Sequence, residues 1–461
     1  MDIIDSEILS VSTARPRAWC PHAGSNDAMN SKSSTRRSFL KAGLAGVLAA
    51  GAAPQFVGSR VLGANAPSRK ITLGFIGVGT HGYGVNLLSF LQQEDCEVLD
   101  VCDVFASRRE KARQAVEAQT GARSCRETAD FRALLARHDI DAVVISTPDH
   151  WHVTMAMMAL EAGKKVFCEK PTLTISEGRE LASAVARRGA LFAVGLEDRA
   201  VIYYHKLAEV VRNGGIGRLE RIKVGLPVKP VFPLEEPAPV PDDLDYELWL
   251  GPAPHRPYTP GLTDAQVWRQ IRDFSGGSLT DWGAHLIDTA QVANFSEGSG
   301  PVAVRGKGRI PANAINSVPQ TYELTYTYAN GVILDVVSEK PFIRFEGSDG
   351  WVGNTGWSGP LAGSDMAVFR RTYDPATSKI WPRRPREQRD FLDCIRSGRE
   401  PMYTAEALQR LSTVLHIGAI AMELERPLRW DPSTESFNDA GANALRQRPR
   451  RDDWRRAGAK I

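Results

Sequence analysis

A glycine-rich turn between an apolar run and a helical pattern constrains this chain more than any other feature. Residues 70–82 read Lys-Ile-Thr-Leu-Gly-Phe-Ile-Gly-Val-Gly-Thr-His-Gly. A short strand therefore runs into Gly77-x-Gly79-x-x-Gly82, and Val85, Leu87, Leu88 and Leu91 continue at helical spacing. Gly77 permits a tight turn, Gly79 lets the backbone approach a pyrophosphate, and Gly82 lets the helix pack on the strand. The helix start at Thr80 and His81 offers free N–H groups and a partial positive charge to phosphates. Glycine turns of this spacing are common, but this one has company. A second strand, Glu97–Cys102, ends in Asp103, 21 residues after Gly82, where an acid holds the adenosine ribose 2′-hydroxyl. A carboxylate there disfavours a 2′-phosphate, so NAD is the expected cofactor; Arg108 and Arg109 keep NADP open.

The strand–helix rhythm continues through apolar runs at 141–146, 165–168 and 191–194, with helical stretches at Glu127–Arg137 and Ser176–Arg188. Such alternation implies a doubly wound parallel sheet, a Rossmann domain over 67–195. The 461 residues exceed what one hydrophobic core usually supports. From 196 the rhythm changes: 218–226, 302–310, 321–328 and 332–338 read as strands, with the hairpin signal Asn330-Gly331 between the last two. These imply a C-terminal α+β domain, 196–435, with a large, mostly antiparallel open sheet covered by helices on one face. Residues 227–260 hold ten of the 28 prolines, a density that excludes helix and central strand and predicts an arm lining a substrate cleft. The basic tail 436–461, with arginines from Arg446 to Arg456, reads as solvated or subunit-capping.

Two further strand ends carry polar clusters, Thr147-Pro148-Asp149-His150-Trp151-His152 and Glu169-Lys170-Pro171. Ligands of such sheets bind beyond the strand C-termini, so Thr147, Pro148, His152 and Glu169 are expected to line the cofactor crevice, with His152 at the nicotinamide and Trp151 in packing. Together with the glycine turn, these elements resemble the Gfo/Idh/MocA family, named for glucose–fructose oxidoreductase and inositol dehydrogenase. The resemblance extends to Gly214–Leu219, Leu248–Pro254 and Ser275–His285, and covers about 70–435. It implies that Lys170 sits near the nicotinamide and the reacting hydroxyl, that the second sheet pairs subunits as a dimer or tetramer, and that a late helix through Leu408, Leu411, Val414, Leu415 and Ile417 packs toward the nucleotide domain. The residues agree on Lys170: a lysine partly desolvated at a strand end holds a lowered pKa and polarises a substrate oxygen.

Oxidising a secondary alcohol requires hydride departure and proton removal at one carbinol. On a helix over Leu279–Val292, Asp281, His285 and Asp288 fall within about 60° of one another at 100° per residue. A histidine titrating near neutrality is the natural proton acceptor, so His285 is assigned as base and Asp281 as its partner, matching the family's aspartate and histidine. A zinc reading of Asp281 and His285 with His150 or His152 lacks an H-E-x-x-H or cysteine cluster, and no metal is expected. Tyr203 and His205 are further acid–base candidates near the cleft.

Residues 35–41, Thr-Arg-Arg-Ser-Phe-Leu-Lys, form a twin-arginine export motif, followed by small apolar residues from Ala42 to Ala53 and a small-x-small cleavage pattern at Ala64-Asn65-Ala66. Residues 1–66 hold seven Lys+Arg and four acids, leaving 50 of each sign beyond them. The net charge of +3 thus belongs to the leader, and a nucleic-acid role loses its electrostatic footing. The expectation is a periplasmic or secreted protein handled by the twin-arginine machinery. Exported folded into a compartment without free nicotinamide, it holds its cofactor tightly and recycles it in place. Three readings follow: an oxidoreductase on a secondary hydroxyl of a sugar, glycoside or cyclitol; a redox-neutral NAD-dependent glycosidase; and a non-catalytic sugar-binding protein.

Overall fold

The computed structural model describes residues 70–121, 125–357 and 359–452; the expected export leader and the last tail residues lie outside these. Six parallel strands form the first sheet: β1 (Ile71–Ile76), β2 (Cys96–Cys102), β3 (Arg126–Thr128), β4 (Ala142–Ile145), β5 (Lys165–Glu169) and β6 (Phe192–Gly195). Their order is β3-β2-β1-β4-β5-β6, the doubly wound arrangement expected of the glycine fingerprint. Strands β1 and β4 are neighbours, with Leu73 opposite Ala142, although the chain between them runs out to the far edge. Order reverses at this pair, and the crevice beyond their C-terminal ends is where such sheets take ligands. β4 is buried at every residue, as a strand covered by helices on both faces must be. Glu127 and Thr128, which the sequence assigned to a helix, belong to the edge strand β3; the helix begins after Asp130, whose carboxylate accepts from the Arg132 amide at 2.9 Å.

The second sheet has nine strands: β7 (Leu219–Leu226), β8 (Ala303–Arg309), β9 (Thr321–Thr327), β10 (Ile333–Ser338), β11 (Phe342–Gly347), β12 (Gly350–Asn354), β13 (Leu361–Gly363), β14 (Leu428–Asp431) and β15 (Ser436–Phe437). The order is β13-β12-β11-β7-β10-β9-β8-β14-β15. β7 and β10 pair in parallel; the other pairings are antiparallel. Alternation along β9, exposed–buried through Thr321–Leu324, shows one face on the core and one outward.

The helix Ala405–Leu424 lies against the helix Ile175–Arg188 of the first half and against β8 of the second, and Ile71–Ile461 form one compact unit. Among the described residues, five cysteines are free and buried. Two local departures from sequence expectation stand out. A short helix, Tyr246–Leu250, forms inside the proline-rich arm because the ten prolines leave the interval 242–251 clear, and Asp245 caps it by accepting from the Leu248 amide at 2.9 Å. The helix expected over 279–292 is two, Gly277–Asp281 and Gly283–Ala293.

Candidate active site

The glycine turn has the close approaches its spacing demands. Gly77 sits at φ +85°, and a Cβ on Gly82 would lie 2.1 Å from the Gly77 carbonyl oxygen. A Cβ on Gly79 would meet only the Arg108 guanidinium, at 3.3 Å, so the outer face of the turn is open backbone. Asp103 braces it: its carboxylate accepts from the Val78 amide at 2.9 Å and the Phe105 amide at 3.0 Å, and burial pushes its carboxyl up despite both bonds. Across the crevice the Thr147 hydroxyl is buried without a protein partner. An open glycine cradle, an acid at the end of β2 and an orphaned hydroxyl fit a dinucleotide.

Glu169, at the end of β5, accepts from the Asn86 amide at 2.8 Å and meets His81 Nε2 at 3.1 Å. Gln388 Nε2 in turn donates to the Asn86 side-chain oxygen at 3.0 Å. Burial alone would raise the Glu169 carboxyl; the His81 charge and hydrogen bond, with Asn86 and Lys170, prevail and hold it at about 2. Glu169 thus fastens the helix after the glycine turn to the sheet.

Lys170 follows. Its ammonium donates to the Asp281 carboxylate at 2.8 Å and the Asp281 carbonyl at 3.1 Å. Burial pulls the lysine down, but the Asp281 charge outweighs it, so its pKa is raised rather than lowered as the sequence led us to expect. Asp281 is held well below the usual carboxylate range: burial opposes this, and Lys170 and Arg269 overcome it. Arg269 Nε lies 3.5 Å from the second Asp281 oxygen.

His285 is next in space, and its partner is not Asp281. Nδ1 lies 2.8 Å from an Asp198 oxygen and 3.8 Å from Glu197, because the Asp281 carboxylate is taken by Lys170. Burial lowers His285 to about 4 and pushes Asp198 well above the carboxylate range. Joined by that contact, the two groups keep a proton to higher pH than a free carboxyl would. The other Asp198 oxygen is buried without a partner. Trp357 stands edge-on to the His285 ring, centroids 4.7 Å apart, and meets Trp282 at 4.8 Å; both indoles are half-buried. Asp288, third on the helical face, is taken by Arg199 at 2.8 Å and by the Tyr403 hydroxyl. Ligand atoms of Glu197, Asp198 and His285 lie within 4.8 Å of one another, but His285 Nδ1 is already engaged by Asp198.

The family model described as "Oxidoreductase family, NAD-binding Rossmann fold" matches residues 71–196, and that described as "Oxidoreductase family, C-terminal alpha/beta domain" matches 233–456. The chain belongs to the Gfo/Idh/MocA oxidoreductase family. A glycosyl hydrolase family 109 protein of Shewanella sp. strain ANA-3 is 35% identical over 136 residues, 28% of this chain and 29% of that protein; the chain thus matches under a third of that relative's length. Among solved structures, the aldose-aldose oxidoreductase of Caulobacter crescentus covers 78% of this chain and 100% of its own at 19% identity and TM-score 0.56. The WlbA dehydrogenase of Bordetella pertussis, in complex with NADH and UDP-GlcNAcA, covers 78% and 98% at 18% identity and TM-score 0.59. These structures share the fold.

Within this Gfo/Idh/MocA oxidoreductase, Lys170, Asp281 and His285 gather at the crevice mouth with Glu169 behind them. His152 does not line it: the ring is buried, with the Pro171 and Thr147 carbonyls at 2.8 and 2.9 Å from its two nitrogens. It is a strut between the loops that end β4 and β5. His150 is buried as well, its Nε2 at 3.0 Å from the Trp249 carbonyl. Trp151 packs, its indole N–H on the same carbonyl. Tyr203 is exposed, and His205 faces the Trp381 carbonyl at 2.9 Å; among the described residues neither hydrogen-bonds the lysine–aspartate–histidine group. Sequence reasoning missed Asp198, Glu197, Arg269 and Trp357. The one available signal was Glu197-Asp198-Arg199 immediately after β6, a strand end in the same crevice.

Proposed function

We propose that this chain oxidises a secondary hydroxyl of a sugar, glycoside or cyclitol and keeps its NAD through the cycle. The observation that carries this is Lys170 ion-paired to Asp281 beside the Asp198–His285 pair, at the switch point of the parallel sheet. NAD, when bound, supplies the hydride acceptor. Gly77, Gly79, Thr80, His81 and Gly82 would hold the pyrophosphate and Asp103 the ribose, which favours NAD over NADP. Lys170, cationic, donates to the substrate hydroxyl and stabilises the developing alkoxide. With Asp198 ionised, His285 Nδ1–H donates to it and Nε2 offers its lone pair to the hydroxyl proton. Trp282 and Trp357 form an apolar wall for a sugar ring.

His285 would take the proton of the oxidised hydroxyl and return it to the carbonyl of a second substrate, for which the bound dinucleotide would supply the redox partner. The export motif at residues 35–41 supports this internal recycling, because an enzyme in the periplasm or outside the cell has no nicotinamide pool to draw on. We accordingly propose that the protein works there, delivered by the twin-arginine machinery, as a homo-oligomer paired through its second sheet. A second reading, redox-neutral glycoside cleavage, is supported by the family 109 relative.

Native mass spectrometry of the purified protein tests the first point: the mass of one dinucleotide per subunit is expected, and its absence under every expression condition overturns the reading. Free sugars and aryl glycosides, incubated without added cofactor, separate oxidoreductase from glycosidase. Lys170→Ala and His285→Ala are each expected to lower turnover by about 10²–10⁴-fold; full activity in either removes the assignment.

A further inference from the structure

We propose that residues 243–251 of the proline-rich arm form a clasp over the cofactor crevice, closed by Asp243 on Ser107, which sets how slowly the dinucleotide leaves. This rests on the reading above, in which NAD is kept through the cycle, and assigns the device that keeps it. One end of the segment fastens to the loop that directly follows Asp103. The Asp245 amide donates to the Val104 carbonyl at 3.1 Å and the Ala106 amide to the Asp243 carbonyl at 3.0 Å, pairing Phe105 antiparallel to Leu244. The Asp243 carboxylate accepts from the Ser107 amide at 2.8 Å and from its hydroxyl at 2.6 Å. The helix Ala106–Thr120 starts after Phe105, which offers no side-chain cap. Asp243, 136 residues from Ser107, supplies that cap from the arm. The Ser107 hydrogen bonds hold its carboxyl below the usual range.

The other end sits on the helix Asp149–Glu161, which follows β4. The Trp249 carbonyl accepts from the Trp151 indole at 3.0 Å, and a Cβ on Gly251 would lie 2.0 Å from the Trp151 ring. In the order β3-β2-β1-β4 these two anchors flank β1, whose end carries the glycine turn. The segment therefore crosses the edge of the sheet where a dinucleotide held by that turn and by Asp103 would lie. Trp249 is buried, whereas Ala106 and Ser107 are exposed, so the clasp opens from the Ser107 end. Hydrogen bonds this close to water are each worth little, which suits a closure that must open for loading. Pro241 and Pro252 bracket the segment and restrict the chain on both sides, so less conformational freedom is lost on closing.

Native mass spectrometry of the NAD-loaded protein, following exchange of the bound dinucleotide against deuterated NAD, tests this. Asp243→Ala is expected to speed exchange about tenfold or more and Ala106→Pro about threefold or more, with Tm lowered by less than about 3 °C in each. Proline suits the first position of a helix after an extended residue, so Ala106→Pro removes a clasp bond and leaves the helix start intact. Exchange within about twofold of the unmodified rate in both variants overturns the proposal. Faster exchange in Asp243→Ala alone marks a helix cap and overturns it too. Absorbance at 340 nm keeps the two readings distinguishable. Sugars that never reduce the bound dinucleotide, while both variants exchange faster, sink the oxidoreductase reading alone; sugar oxidation with exchange indifferent to both variants sinks the clasp alone.

Discussion

His285 shows how a single side chain acquires its role from neighbours distant in the chain. Its base form requires Asp198 to be ionised, and the buried pair gives up that proton only above the usual carboxylate range. Oxidation should therefore rise with pH through one apparent pKa belonging to the pair, and reduction of a carbonyl should fall through it. Asp198→Asn removes the group that fixes the Nδ1 proton. It is expected to lower turnover by about 10²-fold and to flatten that pH dependence, while leaving the bound dinucleotide in place. Stopped-flow rates across pH would check this; an unchanged profile would show that Asp198 only packs.

At the scale of elements, the glycine turn and the helix after it act as one unit. A methyl group on Gly82 would fall 2.1 Å from the Gly77 carbonyl oxygen, backbone against backbone, so the helix must move away from the strand. Gly82→Ala is expected to weaken dinucleotide retention at least tenfold and to lower Tm by several degrees, about 2–4 °C for each kcal/mol lost in a body of this size. Retained mass on native spectrometry with unchanged Tm would refute it. The C-terminal segment is a second such element. The sequence reads its arginines as solvated or subunit-capping, and Arg448 is inserted against the carbonyls of Arg272 and Ser275 of its own chain. Arg450 pairs with Glu177 at 2.9 Å, and Arg451 donates to the Gly251 carbonyl at 2.8 Å. Burial lowers Arg448 to about 10. This strap ties the nucleotide-binding half to the loop that precedes the helix carrying Asp281. Truncation after Ala444 is expected to destabilise the protein by about 2–4 kcal/mol, read as an earlier denaturation midpoint.

At the scale of the whole molecule, and among the described residues, burial holds His150 and His416 down at about 3, chiefly through desolvation. Unfolding exposes them to water, where a histidine binds its proton near pH 6.5. Below pH 6.5 these two groups therefore hold more protons unfolded than folded, and their contribution to stability rises with pH, while Glu387, raised to about 7 by burial, contributes the opposite sign. Each group contributes a slope of up to about 1.4 kcal/mol per pH unit in that window. The Tm of the unmodified protein is expected to fall relative to that of a His416→Gln variant as pH is lowered from 7 to 4. A Tm difference that stays constant over that range would contradict the burial argument.

The parallel sheet, the glycine turn, Asp103 and the lysine, aspartate and histidine of the site were legible in the linear chain because each depends on local order. A period of two or 3.6 residues sets strand or helix, and a strand end presents whatever residue follows it. The tertiary structure alone decided the partners. Asp198 and His285 stand 87 residues apart, Lys170 and Asp281 stand 111 apart, and nothing in spacing says which carboxylate meets which cation. Hydrogen bonds reach about 3 Å, and only the packing of two sheets against shared helices brings such groups within it. The same packing moved His152 from ligand to strut and drew the arginine tail out of solvent.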